Sequence, residues 1–236
     1  MKQRLRVMFI GFLITLLLYI ISMWAADTQN TAYVDHNENL KIHENTEVSD
    51  SEIIQPTIVT ERLLDRHKHD AERFAEQYTG VLKDNSFIMA SFEEVQDLLE
   101  RGSGILAFGF PFNTSCQNAF PVLERAFREM GMDQRQGYHA KIFYYDILDD
   151  YYENNEHYQI LLEHTKEFLK TDDDGNLSIV VPNVFFISSG KIVGSHTDTV
   201  ESVMNPQDPL NEEQEAELLE IYKKFIQIMN DACNVC

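Results

Sequence analysis

The sequence predicts an α/β domain, a mixed central sheet flanked by helices, placed after an apolar N-terminal transmembrane helix. Three observations predict it. From about residue 79, strand-like and helix-like segments alternate in the order β-α-β-α-β-α-β-β-α. The last two strands are joined by Ser188-Ser189-Gly190, a hairpin signature. Residues 7–26, VMFIGFLITLLLYIISMWAA, run without a charge behind Lys2, Arg4 and Arg6. The alternation implies parallel strands with right-handed crossovers, and the hairpin adds an antiparallel edge.

Twenty apolar residues at helical rise span roughly 30 Å, the hydrocarbon thickness of a bilayer. The cationic flank is expected on the cytoplasmic side, which puts the rest of the chain outside. A cleaved signal peptide is the alternative, but Met23-Trp24-Ala25-Ala26 sets bulky residues where a cleavage site wants small ones. Residues 27–78 follow as an acidic stalk or linker, polar and aperiodic to about residue 60. The run TERLLDRHKHDAERFAEQY (60–78) suggests a short helix at its end.

The domain is expected over residues 79–230. Phe87-Ile88-Met89 is a short strand, and Ser91-Phe92-Glu93-Glu94 is a capping box opening a helix with Val95, Leu98 and Leu99 on one face. Residues 104–110, GILAFGF, are apolar throughout, as a buried strand is. The helix after Cys116 has Ala119, Phe120, Val122, Leu123, Ala126, Phe127 and Met130 as its apolar side and stops at Gly131. A strand over 139–146, a helix over 158–169 and a turn at 172–176 lead to the hairpin strands 181–187 and 191–196. A final helix runs from about Asn211 to Met229, and residues 231–236 form a CNVC-ending tail.

The formal net charge is −20, from 39 acidic and 19 basic residues, which excludes a nucleic-acid partner because phosphate binding needs a basic footprint. No metal or cofactor is expected. His67/His69 and His157/His164 have no cysteine or carboxylate frame, and the triple aspartate at 172–174 lacks the remaining EF-hand ligands. Asn113-Thr114-Ser115 and Asn176-Leu177-Ser178 fit the glycosylation sequon. Of three cysteines, Cys233 and Cys236 are close enough in sequence to bridge in an oxidising compartment. A redox relay or a metal half-site is the alternative for that pair. Cys116 is then either a monothiol site or a buried small hydrophobe.

The segment order, the stretch SCQNAFP at the head of a helix and Val181-Pro182-Asn183-Val184 before a hairpin resemble the thioredoxin-like superfamily over about residues 80–230. More narrowly, FGFPFNTSCQNAFPVL is similar to the active-site stretch of bacterial bacteriocin transport accessory proteins, whose pattern reads F-P-x-C-P-W-C-R-N followed by P-V-L. The resemblance implies that Cys116 holds the second, resolving cysteine position, because Pro121 follows it by five residues. It also implies that Phe112 holds the aromatic position, and that Asn113 stands where the attacking cysteine belongs. Ala107 replaces the buried acid of thioredoxin proper.

Exchange begins when an exposed thiolate of depressed pKa attacks a disulfide sulfur, which an asparagine amide cannot do. The resemblance further implies a cis Val181–Pro182 bond facing the active-site helix, the alternative being a trans proline starting an edge strand. Phe112, Asn113, Val181 and Pro182 would then form a groove for an extended substrate peptide. Two functions follow. One is an atypical thiol-disulfide activity using Cys116 or the Cys233/Cys236 pair. The other is a non-catalytic peptide- or protein-binding accessory in export or envelope assembly.

Overall fold

The computed structural model describes residues 57–135, 141–171 and 175–233, with the backbone alone for 57–65 and 233. The expected anchor at 1–26, most of the stalk and Cys236 lie outside the described residues. Among the described residues, no helix is long and apolar enough to cross a membrane.

The chain is mixed α/β. Strands β1 (Phe87–Met89), β2 (Gly104–Gly109), β3 (Ile142–Asp146), β6 (Asn183–Ser188) and β7 (Lys191–Thr197) form one five-stranded sheet in the order β1-β3-β2-β6-β7. β3 pairs parallel with β1 and β2, whereas β2/β6 and β6/β7 are antiparallel. The expected parallel start and antiparallel edge are both present. β2 and β6, apolar along most of their length, are buried at every position, as strands covered on both faces must be.

Side-chain alternation splits the core into two layers. Helices α1 (Thr57–Gln77), α3 (Thr114–Glu129) and α6 (Glu212–Cys233) cover the face carrying Ile105, Ala107, Tyr144, Val184 and Phe186. Helices α2 (Phe92–Arg101) and α5 (Glu156–Thr165) cover the face carrying Leu106, Phe108, Phe143 and Phe185. The stalk expected over 27–78 gives way at its C-terminal end to α1, a core helix. Phe74 stacks on Phe87 at 3.8 Å and on Tyr78 at 4.4 Å, and Ala71, Phe74 and Tyr78 are buried. Each aromatic buried this way contributes about 2–3 kcal/mol of transfer free energy, so α1 belongs to the domain.

Local signals explain most boundaries. The capping box before α2 forms as expected: Glu94 N–H donates to Ser91 Oγ at 3.3 Å and Ser91 N–H to Glu94 Oε2 at 2.9 Å. The helix expected over 158–169 starts earlier, because Asn155 accepts from Tyr158 N–H at 3.0 Å, and passes into a 3-10 turn at Lys166–Phe168. A further short helix, α4 (Leu148–Glu153), went unread in the sequence. Asp146 accepts from Leu148 N–H at its start, and Asn154, left-handed at φ 48°, ends it. Two-residue strands β4 (Lys170–Thr171) and β5 (Leu177–Ser178) flank the expected 172–176 turn. Between β6 and β7, Ser189 and Gly190 have φ of 51° and 73°, the type I′ geometry that matches strand twist. A side chain at Gly190 would meet the Glu100 carbonyl oxygen at 2.2 Å.

Candidate functional site

The register Phe108↔Asn183 brings the loop after β2 and the loop before β6 to the same end of the sheet, beside the N-terminus of α3. The four residues expected to form a groove therefore come from two loops at one pole. Phe112 is 70% exposed and its ring lies 4.9 Å from Phe110. Val181 is half-buried, Pro182 is buried, and the bond between them is cis, as the resemblance implies. The Pro182 carbonyl accepts from Asp198 N–H at 2.7 Å, which ties the 198–211 loop to the same pole. Thr114 Oγ1 bonds Gln207 Oε1 at 3.0 Å, and Asn118 donates to the Asp208 carbonyl at 2.9 Å, fixing that loop over the start of α3.

Asn113 serves the helix. Its φ/ψ of −86°/121° are extended, and its side-chain oxygen accepts from Cys116 N–H at 2.9 Å. This is the N-cap bond that satisfies one of the orphan donors of a helix start. Under the thioredoxin-like resemblance an attacking thiolate would stand at this position and draw on the same N–H groups.

The Cys116 side chain is buried in the core. It is 0% exposed and packs over the end of β2, where a Cβ added to Gly109 would lie 3.0 Å from its sulfur and 2.7 Å from the Phe120 ring. Burial pushes the thiol up to about 12, with the Asp198 and Asp146 carboxylates adding to the effect and a backbone hydrogen bond at Phe110 opposing it. A helix N-terminus normally favours a thiolate; desolvation overrides that here. Tyr78 donates to the Tyr144 hydroxyl at 2.9 Å in the same layer, and the Tyr222 hydroxyl, fully buried, has no partner. Burial raises all three phenols. Ala107, where thioredoxin proper has an acid, is buried between Tyr144 and Val184 in the sheet register.

Cys233 is the last residue of α6. That helix runs alongside the C-terminal half of α3 and in the same direction, since Arg125 meets Glu215 and Lys223 meets Glu129. Its 22 residues span about 33 Å, so Cys233 lies at the far end from Cys116. The Cys233 backbone therefore stands apart from the Cys116 pole, and Cys236 lies outside the described residues. Among the described residues, no group of His, Cys, Asp or Glu side chains has the arrangement of a metal site.

Two features were missed in the sequence. Glu124 falls on the apolar side of α3 and is buried, accepting from Ser86 N–H at 3.1 Å through both oxygens and from Arg128 Nε at 2.7 Å. Burial outweighs these bonds and raises its carboxyl, while the more exposed Arg128 is held protonated by the contact. Asn183, the residue after Pro182, is 1% exposed, and neither of its side-chain polar atoms has a partner. No family model, curated protein or solved structure matches this chain.

Proposed function

We propose that this chain is a membrane-anchored, extracytoplasmic peptide-binding module on a thioredoxin-like scaffold, with no dithiol catalysis. The observation that carries the reading is the pairing of Asn113 and Cys116. The position that would hold the attacking thiol is a helix cap, and the remaining thiol is fully buried and faces the core. Thiol activity at this pole would have to begin at Cys116, whose burial both shields the sulfur and disfavours the thiolate that such chemistry needs. The strand order and the cis Val181–Pro182 bond beside the α3 N-terminus support the thioredoxin-like scaffold.

The groove edges support binding. Val181 precedes β6 outside the pairing register, and Phe112 offers an exposed aromatic face at the same end of the sheet. An extended peptide adding its backbone along such an edge gains main-chain hydrogen bonds and seats alternate side chains on the apolar rim. Anchoring through residues 7–26 would hold this module at the outer membrane–water interface, a setting suited to export or envelope assembly. The test is fluorescence anisotropy of a labelled, unstructured peptide with the full-length chain in uncharged detergent. Binding weakened at least about fivefold by Phe112→Ser and unchanged by Cys116→Ala is expected. Absence of binding in the parent chain, or dependence on Cys116, overturns the reading.

A further inference from the structure

The pole that carries Phe112, Val181 and Pro182 is predominantly acidic. The four segments that build it, residues 110–113, 146–156, 179–183 and 197–211, contain eight carboxylates and no lysine or arginine. Asp146, Asp149, Glu153 and Glu156 come from the β3–α5 connection, and Glu201 and Asp208 from the loop over α3; all six are exposed. The segments are held together at one end of the sheet by Ile147 N–H donating to the Gly109 carbonyl and by the Asp198–Pro182 bond. Arg101 and Lys191 flank the opposite sheet end, and Arg128 is bound to Glu124 and to the Asp84 carbonyl, while Lys170, paired with Ser178 beside the 179–183 segment, is a cation bordering this pole.

Within this acidic frame lies exposed apolar surface. Tyr152 is 74%, Phe112 70%, Val180 46% and Tyr151 44% exposed, and the Tyr151 and Tyr152 rings pack edge-on at 5.5 Å. Scattered single exposed apolar residues need no explanation, but apolar residues at a rim dominated by one sign of charge have the composition of a recognition surface. The two aromatics at the end of α4 are held by packing: Tyr151 meets the buried Tyr158 ring at 5.6 Å. Tyr145 donates to the Asp150 carboxylate, and Asn155 Nδ2 donates to its other oxygen at 2.7 Å, pinning α4 to β3.

We infer that this pole selects cationic polypeptide segments, seating their apolar side chains on Phe112, Val180 and the Tyr151–Tyr152 ledge and their lysine or arginine side chains on the surrounding carboxylates. The inference rests on the peptide-binding reading above and names the class of peptide. Like charges across such a surface are repelled and opposite ones are steered in, so charge decides partner choice more than contact area does. Acidic segments, among them the chain's own, are thereby excluded from the groove.

The test compares two short labelled peptides of phenylalanine and glycine, one with interspersed lysine and one with glutamate at the same positions, binding to the full-length chain in uncharged detergent. The lysine peptide is expected to bind at least about tenfold more tightly, with the difference shrinking as salt screens the field. Asp149→Lys combined with Glu153→Lys, and separately Tyr152→Ser, should each weaken it at least about fivefold while the circular dichroism spectrum is unchanged. Equal binding of both peptides, still lost on Phe112→Ser, would overturn the charge selection and leave peptide binding intact. No binding of either peptide would overturn both.

Discussion

The Cys116 thiol offers the sharpest single prediction. At pH 8 a free thiol of pKa about 8.5 is roughly one quarter ionised, whereas one raised to about 12 is ionised to about one part in ten thousand. Ionisation alone therefore slows alkylation roughly 2,000-fold, before the shielding of a sulfur with no exposed surface is counted. The assay is iodoacetamide labelling followed by mass spectrometry, in a Cys233→Ser/Cys236→Ser background so that only Cys116 reports. The native chain should label at least about a thousandfold more slowly than the same chain in denaturant. Labelling within tenfold of the denatured rate would mean that the thiol is ionised and accessible, and would refute the burial argument.

The other predictions concern what holds the site in place. Asn113→Ala removes the cap of α3 and should cost about 1 kcal/mol in urea unfolding, with Asn113→Asp close to neutral. Glu124→Leu leaves the Ser86 N–H and the Arg128 guanidinium without their buried acceptor and should cost about 3 kcal/mol by the same measurement. His67 and His196 are held neutral chiefly by burial, so their folded pKa values lie below the unfolded value of about 6.5. Their contribution is present above about 6.5 and is lost as pH falls through the folded values. The thermal midpoint should fall between pH 7 and pH 5, and His196→Gln should reduce the fall.

How much of this was legible in the sequence follows from which signals are local. The capping box at Ser91, the apolar run of β2 and the Ser189-Gly190 hairpin are each set by a few neighbouring residues, and each appears where the pattern puts it. α1 was hidden in part because its buried positions, Ala71 and Phe74, with Tyr78 just past its end, are few and embedded in a charged helix that reads as linker. Only contact with Phe87 and Phe120 reveals it as core. α4 was hidden because an acidic run, LDDYYE, lacks helical periodicity and is stabilised by caps and by Asp150. The asparagine three residues before Cys116 was legible, and so was the question it raised about Cys116. The direction in which that sulfur points was not, because it depends on Gly109 and Phe120 making room for it.

The central claim is that the pole binds peptides without thiol chemistry, and disulfide turnover tests it most directly. The full-length chain in uncharged detergent is mixed with insulin and dithiothreitol, and turbidity is followed beside the Cys116→Ser variant. The account predicts a rate equal to the uncatalysed background for both proteins. Turnover above background that disappears on Cys116→Ser would contradict it.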